Sequence, residues 1–327
     1  MPDSQRTEQD TAIRRSLFDR PGSAGLRTTG PRPDWQIRPV GTLPLGDARV
    51  RTGDAGSVVE PPETTAGGAP AFGYATGPGG ADDHLKWCAL VAHTASSGLP
   101  GFDAPGGGEL VGAAELAVRV FGAERHPFGD AVAEPQADPR LGAGALLALD
   151  RETGLVFDFF VSNRHIHAVY ERLPRPGTGW AAFTYLVPVA ERTPDLVRRL
   201  EIGLDRDAGT VRWSVDGEQV LSVARLGHLS LPRTHLVIDH GGTEESAVPR
   251  QLAFGLGLFT LLDAAGPDGR GLVRLSAERY YDPARGAPAP QRFRDELGLR
   301  ANRLWGQGVR LTVRRVTVTT GPAPGSP

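Results

Sequence analysis

The most constraining feature of this sequence is a series of short apolar segments that alternate with turn residues over most of its length. Two stretches, GALLALDRETGLVFDF and LEIGLDRDAGTVRWSV, share the plan strand, D-R-x-x-G, strand. The aspartate initiates a turn and the glycine adopts a positive φ, so each stretch predicts a β-hairpin, with turns at 150–154 and 205–209. A D-G pair predicts a third hairpin over 210–223. Roughly a dozen strands with little helical periodicity predict an all-β sandwich or jelly roll.

The apolar pattern also sets the domain limits. Residues 16–320 are expected to form one β-sandwich domain, whereas 1–15 and 321–327 lack periodic apolar positions and are expected to be disordered. Glycine and proline are concentrated at 53–83 and 94–108, which predicts two long surface loops. Further strands are predicted in DDHLKWCALVAH, ELVGAAELAVRVFG, HLVIDHGG, QLAFGLGLFTLL, GLVRLSAERYY and VRLTVRRVTVTT, and one short helix in PQRFRDELGLRANRLWG.

Charge and cysteine content exclude several classes of partner. The formal net charge of -2 gives no overall basic field of the kind that attracts nucleic acid or anionic lipid. The first residues are polar without an apolar signal region, and no run approaches the ~18 apolar residues of a membrane span, so a cytoplasmic location is expected. Cys88 is the single cysteine, which excludes an internal disulfide and a cysteine-rich zinc site.

Lys86 is the single lysine in a chain whose other basic residues are arginines. This bias, together with abundant alanine, glycine and proline, is typical of a GC-rich actinobacterial genome. Arginine cannot replace a primary amine whose pKa is tunable, so Lys86 is a candidate substrate-binding residue in a pocket. The alternative is an ordinary exposed lysine.

Four segments carry a family resemblance. VRRLEIGLDRDAGTVRWSVDGEQV resembles the strand and x-R-W-x-V-D-G hairpin of laminarinase-type family 16 glycoside hydrolases. HLVIDHGG resembles their next strand, GQGVRLTVRRVTVTT their last strand, and SLFDRPGSAGL with WQIRP their opening segment. The chain also looks like an uncharacterised actinobacterial family of this architecture. The resemblance implies a concanavalin-like jelly roll of two curved antiparallel sheets, with the site on the concave face.

The catalytic strand of that family is altered here. Family 16 enzymes carry acids along one strand, as E-x-D-x-x-E or E-x-D-x-E, because retaining hydrolysis needs two carboxyl groups about 5 Å apart. The corresponding strand matches residues 155–162, where Val156, Asp158 and Phe160 occupy the alternate positions. Only the central aspartate remains, so the hydrolytic pair is not carried over.

The stretch LVFDFFVSNRHIHAVYERL predicts a hairpin with polar residues on one face. A turn at Asn163 and Arg164 pairs the two strands by residue number. The resulting pairs are Ser162 with His165, Phe160 with His167, Asp158 with Val169, and Val156 with Glu171. Asp158, His167 and Glu171 then share a partly apolar face, which favours general acid/base catalysis. The alternative is an edge hairpin whose polar row faces water.

The same hairpin contains a metal-like spacing. His165, His167 and Glu171 match the H-x-H-x3-E spacing of cupins, which resembles an iron, manganese or zinc site. The flanking glycines and the second cupin motif are absent, so the sequence predicts a protein without stoichiometric metal and without a cofactor. A cupin-like metal enzyme is the alternative.

Other residues are candidates for the same or a second site. Asp239 and His240 end a strand and precede Gly-Gly and Glu244, which could supply a base and an orienting carboxylate; the alternative is a solvated turn. Further candidate substrate-binding residues are Arg125 and His126 in a loop, and Trp87, Tyr170 and Tyr185 for stacking, unless these aromatic residues are buried. No serine lies in G-x-S-x-G, and no nucleotide-binding loop is present.

These features lead to three functional hypotheses. The first is a cofactor-independent cytoplasmic enzyme of small-molecule biosynthesis, of the cyclase, isomerase or lyase type. The second is a lectin-like carbohydrate-binding module, and the third is a glycan hydrolase or lyase with a rearranged site. The expected ligand is therefore a small molecule or a carbohydrate. A deep apolar pocket favours the first hypothesis, and an open groove favours the second.

Overall fold

The structure, a computed structural model, describes residues 15–54, 56–74, 84–175, 177–266, 269, 271–273 and 304–322. These residues form nineteen strands and four short 3₁₀ turns. None of them belongs to a helix long and apolar enough to cross a membrane. Most of the strand predicted in GLVRLSAERYY and of the helix predicted in PQRFRDELGLRANRLWG lies outside the described residues, as do 1–14 and 323–327.

One antiparallel sheet has eight strands. They are β1 (Arg15–Pro21), β3 (Arg49–Gly53), β4 (Gly56–Glu60), β9 (Glu109–Phe121), β14 (Arg198–Asp205), β15 (Thr210–Val215), β16 (Glu218–Ala224) and β19 (Gly308–Gly321). Their spatial order is β16-β15-β14-β9-β19-β4-β3, with β1 paired to β19. The last strand of the chain therefore lies near the centre of this sheet.

The second antiparallel sheet has nine strands. They are β2 (Trp35–Ile37), β7 (Leu85–Val91), β8 (Phe102–Asp103), β10 (Ala143–Leu149), β11 (Leu155–Val161), β12 (His165–Arg172), β13 (Phe183–Glu191), β17 (Leu236–Asp239) and β18 (Gln251–Phe259). Their order is β17-β13-β12-β11-β10-β18-β7-β2, with β8 paired to β18. A small separate hairpin joins β5 (Glu63–Thr64) and β6 (Pro70–Ala71), and 3₁₀ turns occur at Gly22–Ala24, Ala123–Arg125, Gly129–Ala131 and Arg233–His235.

The two sheets pack face to face over one large apolar core. Side chains alternate along a strand, so every second residue of β11 points into this core. Those residues are Leu155, Phe157, Phe159 and Val161. Trp35, Trp87 and Trp213 are fully buried in the same layer. The predicted all-β, concanavalin-like jelly-roll sandwich of two antiparallel sheets is confirmed.

The opposite face of the nine-stranded sheet, here called the outer face, is buried too. A second apolar cluster lies on it, formed by Cys88, Leu90, Ala143, Ala145, Leu147, Phe160, Val169, Leu186, Ile238, Ala253, Leu261 and Ala264. Part of its cover is the chain after β18, residues 260–266, here called the crossing segment. The Leu261 amide donates to Arg140 O (2.9 Å) before β10, and the Ala265 amide donates to Val237 O (2.8 Å) on β17. The crossing segment therefore passes over β11, β12 and β13.

The three hairpin turns predicted from the sequence are confirmed, whereas one of the predicted loops contains strands. The D-R-x-x-G stretches form the β10–β11 and β14–β15 hairpins, and β15–β16 turns at Asp216 and Gly217, both with positive φ. The expectation of a long loop at 53–83 is wrong for its described part, because it contains β4, β5 and β6. Strand β4 forms because Val59 is buried in the core and its backbone pairs with Leu311 on β19.

A buried side chain joins the two sheets at one end. Strand β14 pairs with β9 only as far as Leu116, which leaves the following edge of β9 open. Asn163, in the β11–β12 turn, fills that edge: its Oδ1 accepts the Val120 amide (2.7 Å) and its Nδ2 donates to Val120 O (2.8 Å). The buried Arg192 donates to Ser162 O (2.6 Å) and Val118 O (3.0 Å) beside it. The two side chains thereby satisfy backbone groups of both sheets.

Replacing Asn163 by alanine tests this joint. The variant leaves the amide and carbonyl of Val120 buried without their partner, and each such group costs about 1–3 kcal/mol. We expect Asn163→Ala to lower the free energy of unfolding by about 2–4 kcal/mol, measured by urea denaturation. Arg164→Ala, at the exposed neighbour in the same turn, should change it by no more than about 0.5 kcal/mol. Equal effects of both variants would contradict the assignment.

Candidate active site on the outer face

The β11–β12 hairpin has the predicted register. Phe160 faces His167, Asp158 faces Val169, and Val156 faces Glu171 across the two strands. Asp158 and Glu171 are therefore diagonal neighbours on the outer face, in the middle of the nine-stranded sheet. The next strand, β13, places Thr184 opposite Glu171.

Asp158 is held by hydrogen bonds to both its side chain and its backbone. Its Oδ1 accepts the backbone amide of Ala148 on β10 (3.1 Å). Its carbonyl oxygen accepts the indole N–H of Trp213 (3.0 Å), which reaches across the core from the eight-stranded sheet. The side chain is buried, and it occupies the gap in the β10–β11 ladder between the pairs Leu146–Phe159 and Leu149–Val156.

Burial controls the protonation of Asp158. Desolvation raises the pKa of its carboxyl group well above the usual 3.8, and the charge of Glu171 raises the pKa further. The hydrogen bond from the Ala148 amide stabilises the ionised form but is the smallest of the three influences. Asp158 is therefore a buried carboxylic acid rather than a carboxylate over an extended pH range.

Glu171 experiences a more mixed environment. Burial raises its pKa above 4.5, and the charge of Asp263 acts in the same direction. The hydroxyl group of Thr184 donates to Glu171 Oε1 (2.7 Å), and His84 lies close enough to lower the pKa. These two interactions favour the ionised form of Glu171, whereas the ionised form of Asp158 is favoured by the Ala148 amide.

The crossing segment adds groups that sequence reasoning missed. Asp263 is fully buried, and its Oδ1 makes a short contact with His84 Nε2. Cys88, on the same face, has its pKa raised to about 12, first by burial and then by the charge of Asp158. The outer face therefore holds two buried carboxyl groups, Asp158 and Asp263, together with the half-buried Glu171 and His84. Nothing in the sequence signals the His84–Asp263 contact, which joins residues 179 positions apart.

His167 does not join the two carboxyl groups. Desolvation lowers its pKa to about 4, and the charged groups that act on its ring are His165, Asp138 and His235. A buried imidazole with this pKa is neutral at pH 7. The structure therefore brings Asp158 and Glu171 together, whereas the carboxyl group that acts on His167 is that of Asp138.

The residues of the cupin-like spacing are spread along the strand. The rings of His165 and His167 have centroids 5.8 Å apart, whereas Glu171 lies four residues beyond His167, about 13 Å along an extended strand. Among the described residues, no group of three or more histidine, cysteine, aspartate or glutamate side chains is arranged to hold a metal ion.

The candidate ligand-stacking residues lie in the core. Trp87, Tyr170 and Tyr185 are fully buried between the sheets, so burial, the alternative interpretation, is what the structure shows. Lys86 is buried as well: its Nζ donates to Tyr74 O (3.1 Å) and lies 5.9 Å from the centroid of the Phe72 ring. Its charge lowers the pKa of Asp47, against the larger effect of burial, so its nearby acid is Asp47 rather than Asp158.

The candidate residues Asp239 and His240, at the end of β17, make contacts with their immediate neighbours. Asp239 pairs with Phe183, a core residue, and its Oδ1 accepts the Gly241 amide (2.8 Å), so it faces away from Glu171. The His240 amide donates to Ala182 O (2.9 Å).

The remaining three candidates lie in two surface loops, Arg125 and His126 in one and Glu244 in the other. Arg125 donates to Gly306 O (3.3 Å), and His126 Nδ1 accepts the Phe128 amide (3.2 Å). Glu244 lies beside His228, at the edge of the sandwich. None of the loop candidates is among the groups that act on Asp158 or Glu171.

The fold and these contacts define a β-sandwich protein with two neighbouring carboxyl groups on the outer face of one sheet, Asp158 buried and Glu171 half-buried. The chain belongs to a family of unknown function, DUF6081, whose model matches residues 17–322. An uncharacterised protein, L829, of Acanthamoeba polyphaga mimivirus is 28% identical over 38% of this chain. The match extends over 42% of the length of the viral protein.

Solved structures of similar fold include several glycan-active enzymes. The endo-1,3-beta-glucanase of Streptomyces sioyaensis is 14% identical, with a TM-score of 0.47, covering 98% of this chain and 100% of that one. The laminarinase catalytic domain of Thermotoga petrophila RKU-1 is 12% identical, with a TM-score of 0.44, covering 94% and 98%. The alginate lyase AlgAT5 is 10% identical, with a TM-score of 0.38, covering 88% and 94%.

The buried carboxyl pair predicts a specific pH dependence of stability. Because both folded pKa values lie above the ordinary 3.8 and 4.5, the folded state binds more protons than the unfolded state from about pH 4 up to the folded pKa values. The free energy of unfolding therefore falls as the pH rises through this window. Asp158→Asn retains an acceptor for Ala148 but does not ionise, so it should flatten this slope and be more stable than the wild type at pH 8.

Urea unfolding at several pH values between 4 and 8 measures this slope. Asp130→Asn, at an exposed aspartate, is the matched control and should reproduce the wild-type slope. If Asp158→Asn also reproduced the wild-type slope, Asp158 would not be a carboxyl group whose pKa is raised by folding.

Proposed function

We propose that the protein is an acid–base enzyme that cleaves a glycosidic bond, with Asp158 and Glu171 as its two carboxyl groups. The observation that carries this proposal is their coupling, since the charge of Glu171 raises the pKa of Asp158 on the neighbouring strand. Glycosidic cleavage by two carboxyl groups requires one that is protonated and one that is ionised. Two acids whose environments separate their pKa values meet this requirement without a cofactor.

The environments assign a role to each acid. Asp158 has the stronger tendency to keep its proton, so it is the general acid that protonates the leaving oxygen. Glu171 has the Thr184 hydroxyl and nearby His84 to stabilise its charge, so it is the base or the nucleophile. In this arrangement Thr184 orients the Glu171 carboxylate through a hydrogen bond of 2.7 Å.

The spacing of the two strands is compatible with this chemistry. Diagonal neighbours on an antiparallel sheet have Cα atoms about 7–8 Å apart. Their side chains point the same way, and a separation of this size is comparable to the about 5–9.5 Å between the carboxyl groups of retaining and inverting enzymes. The pair is built across two strands, whereas the family 16 motif places its acids along one strand.

The crossing segment restricts which glycans fit. It covers the outer face above β11, β12 and β13, and its Asp263 contacts His84 close to Glu171. A covered site does not suit a long polysaccharide bound side-on. We therefore propose a short oligosaccharide, or the end of a chain, as the substrate.

A second candidate function is favoured by the apolar lining of the same face. Phe160, Val169 and Leu186 lie on the same face as the acids, and Leu261 of the crossing segment belongs to the same apolar cluster. An enclosed apolar site suits a small apolar molecule, as in a cofactor-independent cyclase, isomerase or lyase. Under either function we propose a cytoplasmic location, which the single, buried cysteine supports.

Two matched variants test the glycosidase proposal. Hydrolysis of a panel of neutral and acidic oligosaccharides is followed by the release of reducing ends. Asp158→Asn and Glu171→Gln keep the side-chain shapes but remove the titrating groups, so each should lower the turnover of the preferred substrate by about 10²-fold or more. Asp103→Asn, at an exposed aspartate in β8, should leave turnover unchanged.

The outcomes separate the two candidate functions. Cleavage of an oligosaccharide that both variants abolish supports the glycosidase. Turnover of apolar small molecules in a parallel panel, with the same loss in both variants and no oligosaccharide cleavage, favours the small-molecule enzyme instead. Folded and fully active Asp158→Asn and Glu171→Gln would show that the pair is only a structural feature of the sheet.

A further inference from the structure

A second cluster of polar side chains lies at the edge of the sandwich, remote in the sequence from the β11–β12 hairpin. The edge strands of the two sheets, β16 and β17, are followed there by the loops 225–235 and 240–250. The first loop carries His228, and the second carries Glu244 and Ser246. The three side chains meet although they belong to two different loops.

The His228 ring lies between a hydroxyl group and a carboxylate. Its Nε2 is 3.0 Å from Ser246 Oγ, and its Nδ1 is 3.4 Å from Glu244 Oε2. This order of atoms matches the arrangement of nucleophile, base and orienting acid in serine hydrolases, which is recognised by geometry rather than by sequence position. The longer imidazole–carboxylate distance is within the range found in such sites without a substrate.

Backbone hydrogen bonds fix the two loops against each other. The Leu229 amide donates to Glu244 Oε2 (2.9 Å), which orients the carboxylate toward the ring. The Ala247 amide donates to Leu226 O (2.9 Å), on the other side of the cluster. The buried Arg172 donates to the Glu245 carbonyl (3.2 Å) and carboxylate (3.1 Å). The residues on both sides of Ser246 are therefore held in place.

Gly227 allows the close approach of the loops. It has a φ of 93°, and a Cβ at this position would collide with the carbonyl oxygen of Glu245. The hydroxyl of the buried Tyr170 accepts the Gly227 amide (2.7 Å) and donates to His228 O (3.0 Å). The backbone of His228 is thus anchored to the core while its ring faces Ser246.

The cluster is open to solvent on the serine side. Ser246 and Glu244 are exposed, and the His228 side chain keeps 15% of its surface accessible. Within the part of the chain that the structure describes, the Ser246 backbone amide donates to no protein acceptor. An amide at the nucleophile is one of the donors that stabilise the oxyanion of acyl transfer.

A cation also approaches the ring. Arg225 Nη2 lies 3.5 Å from His228 Nδ1, on the side where Glu244 Oε2 is found. The Glu244 carboxylate therefore has two effects. It offsets the positive charge of Arg225, and it stabilises a proton on His228 Nδ1. A proton on Nδ1 leaves Nε2 free to accept the proton of Ser246.

We propose that Ser246, His228 and Glu244 form a hydrolase site for short acyl esters, separate from the outer-face acids. His228 Nε2 takes the hydroxyl proton as Ser246 Oγ bonds to the acyl carbon, and the ester C–O bond breaks. The alcohol leaves with the proton from His228. Water then attacks the acyl-serine by the same route, which releases the carboxylic acid and restores Ser246. Glu244 is a positioning residue.

Covalent labelling and ester hydrolysis test the site. The full-length protein is treated with a fluorophosphonate, and the adduct is located by peptide mass spectrometry; hydrolysis of 4-nitrophenyl acetate is measured in parallel. We expect one adduct on Ser246, lost in Ser246→Ala and in His228→Gln, with a fall in hydrolysis of about 10²-fold or more. Ser222→Ala, at an exposed serine on β16, is the matched control and should keep both signals.

Two further readouts make the result decisive. Glu244→Gln should lower kcat by about 10-fold or more while KM and the melting temperature stay unchanged, which a purely structural role would not produce. Asp158→Asn should keep the adduct, so failure of the outer-face proposal would not affect this one. The proposal is overturned if the folded wild type gives no adduct on Ser246, or if Ser246→Ala retains wild-type hydrolysis.

Discussion

The burial of a carboxyl group in the middle of the nine-stranded sheet is the constraint on which the outer-face site depends. A carboxylate loses much hydration free energy when it leaves water, so the group must be protonated or well hydrogen-bonded. For Asp158 the Ala148 amide supplies one hydrogen bond, and the raised pKa supplies the proton. The indole N–H of Trp213, which lies in the other sheet, donates a hydrogen bond to the backbone carbonyl of Asp158. The sandwich therefore fixes this acid from two sides, and Glu171 titrates in its field.

This arrangement differs from the glucanase motif in a physically informative way. Along one strand, alternate residues on the same face are about 6.6 Å apart, and the family 16 motif uses that spacing. Here the second carboxyl group comes from the neighbouring strand, where diagonal positions lie at a similar distance. On β11 the positions that flank Asp158 on this face are Val156 and Phe160. The second carboxyl group on this face, that of Glu171, belongs to β12 and accepts a hydrogen bond from Thr184.

Local sequence determined what could be predicted, and distant contacts determined what could not. The Asn163 and Arg164 turn fixed the β11–β12 register, so the proximity of Asp158 and Glu171 followed from counting residues. The cover of the outer face did not follow, because His84 and Asp263 are 179 residues apart and neither has a distinctive local pattern.

Three further features depend on contacts that the local sequence does not show. Apolar alternation does not tell which face of a sheet will be covered, so the sequence leaves Tyr170 and Tyr185 as either ligand-stacking or core residues, and the structure places both in the core. The serine cluster was missed because it has no G-x-S-x-G motif: its residues meet only when the edges of two sheets bring the loops of His228 and Ser246 together. Strand β4 was hidden by the glycine and proline residues around it, although Val59 gives it a buried anchor.

Direct titration of the two acids is the most decisive measurement for the outer-face account. Carbon-13 NMR of the side-chain carboxyl groups, assigned with Asp158→Asn and Glu171→Gln, reports the protonation of each residue in the folded protein. The account predicts that Glu171 titrates above 4.5 and that Asp158 titrates at a higher pH than Glu171, with the Asp158 curve shifted to lower pH in Glu171→Gln. Ionisation of Asp158 near 3.8, unaffected by Glu171→Gln, would contradict it.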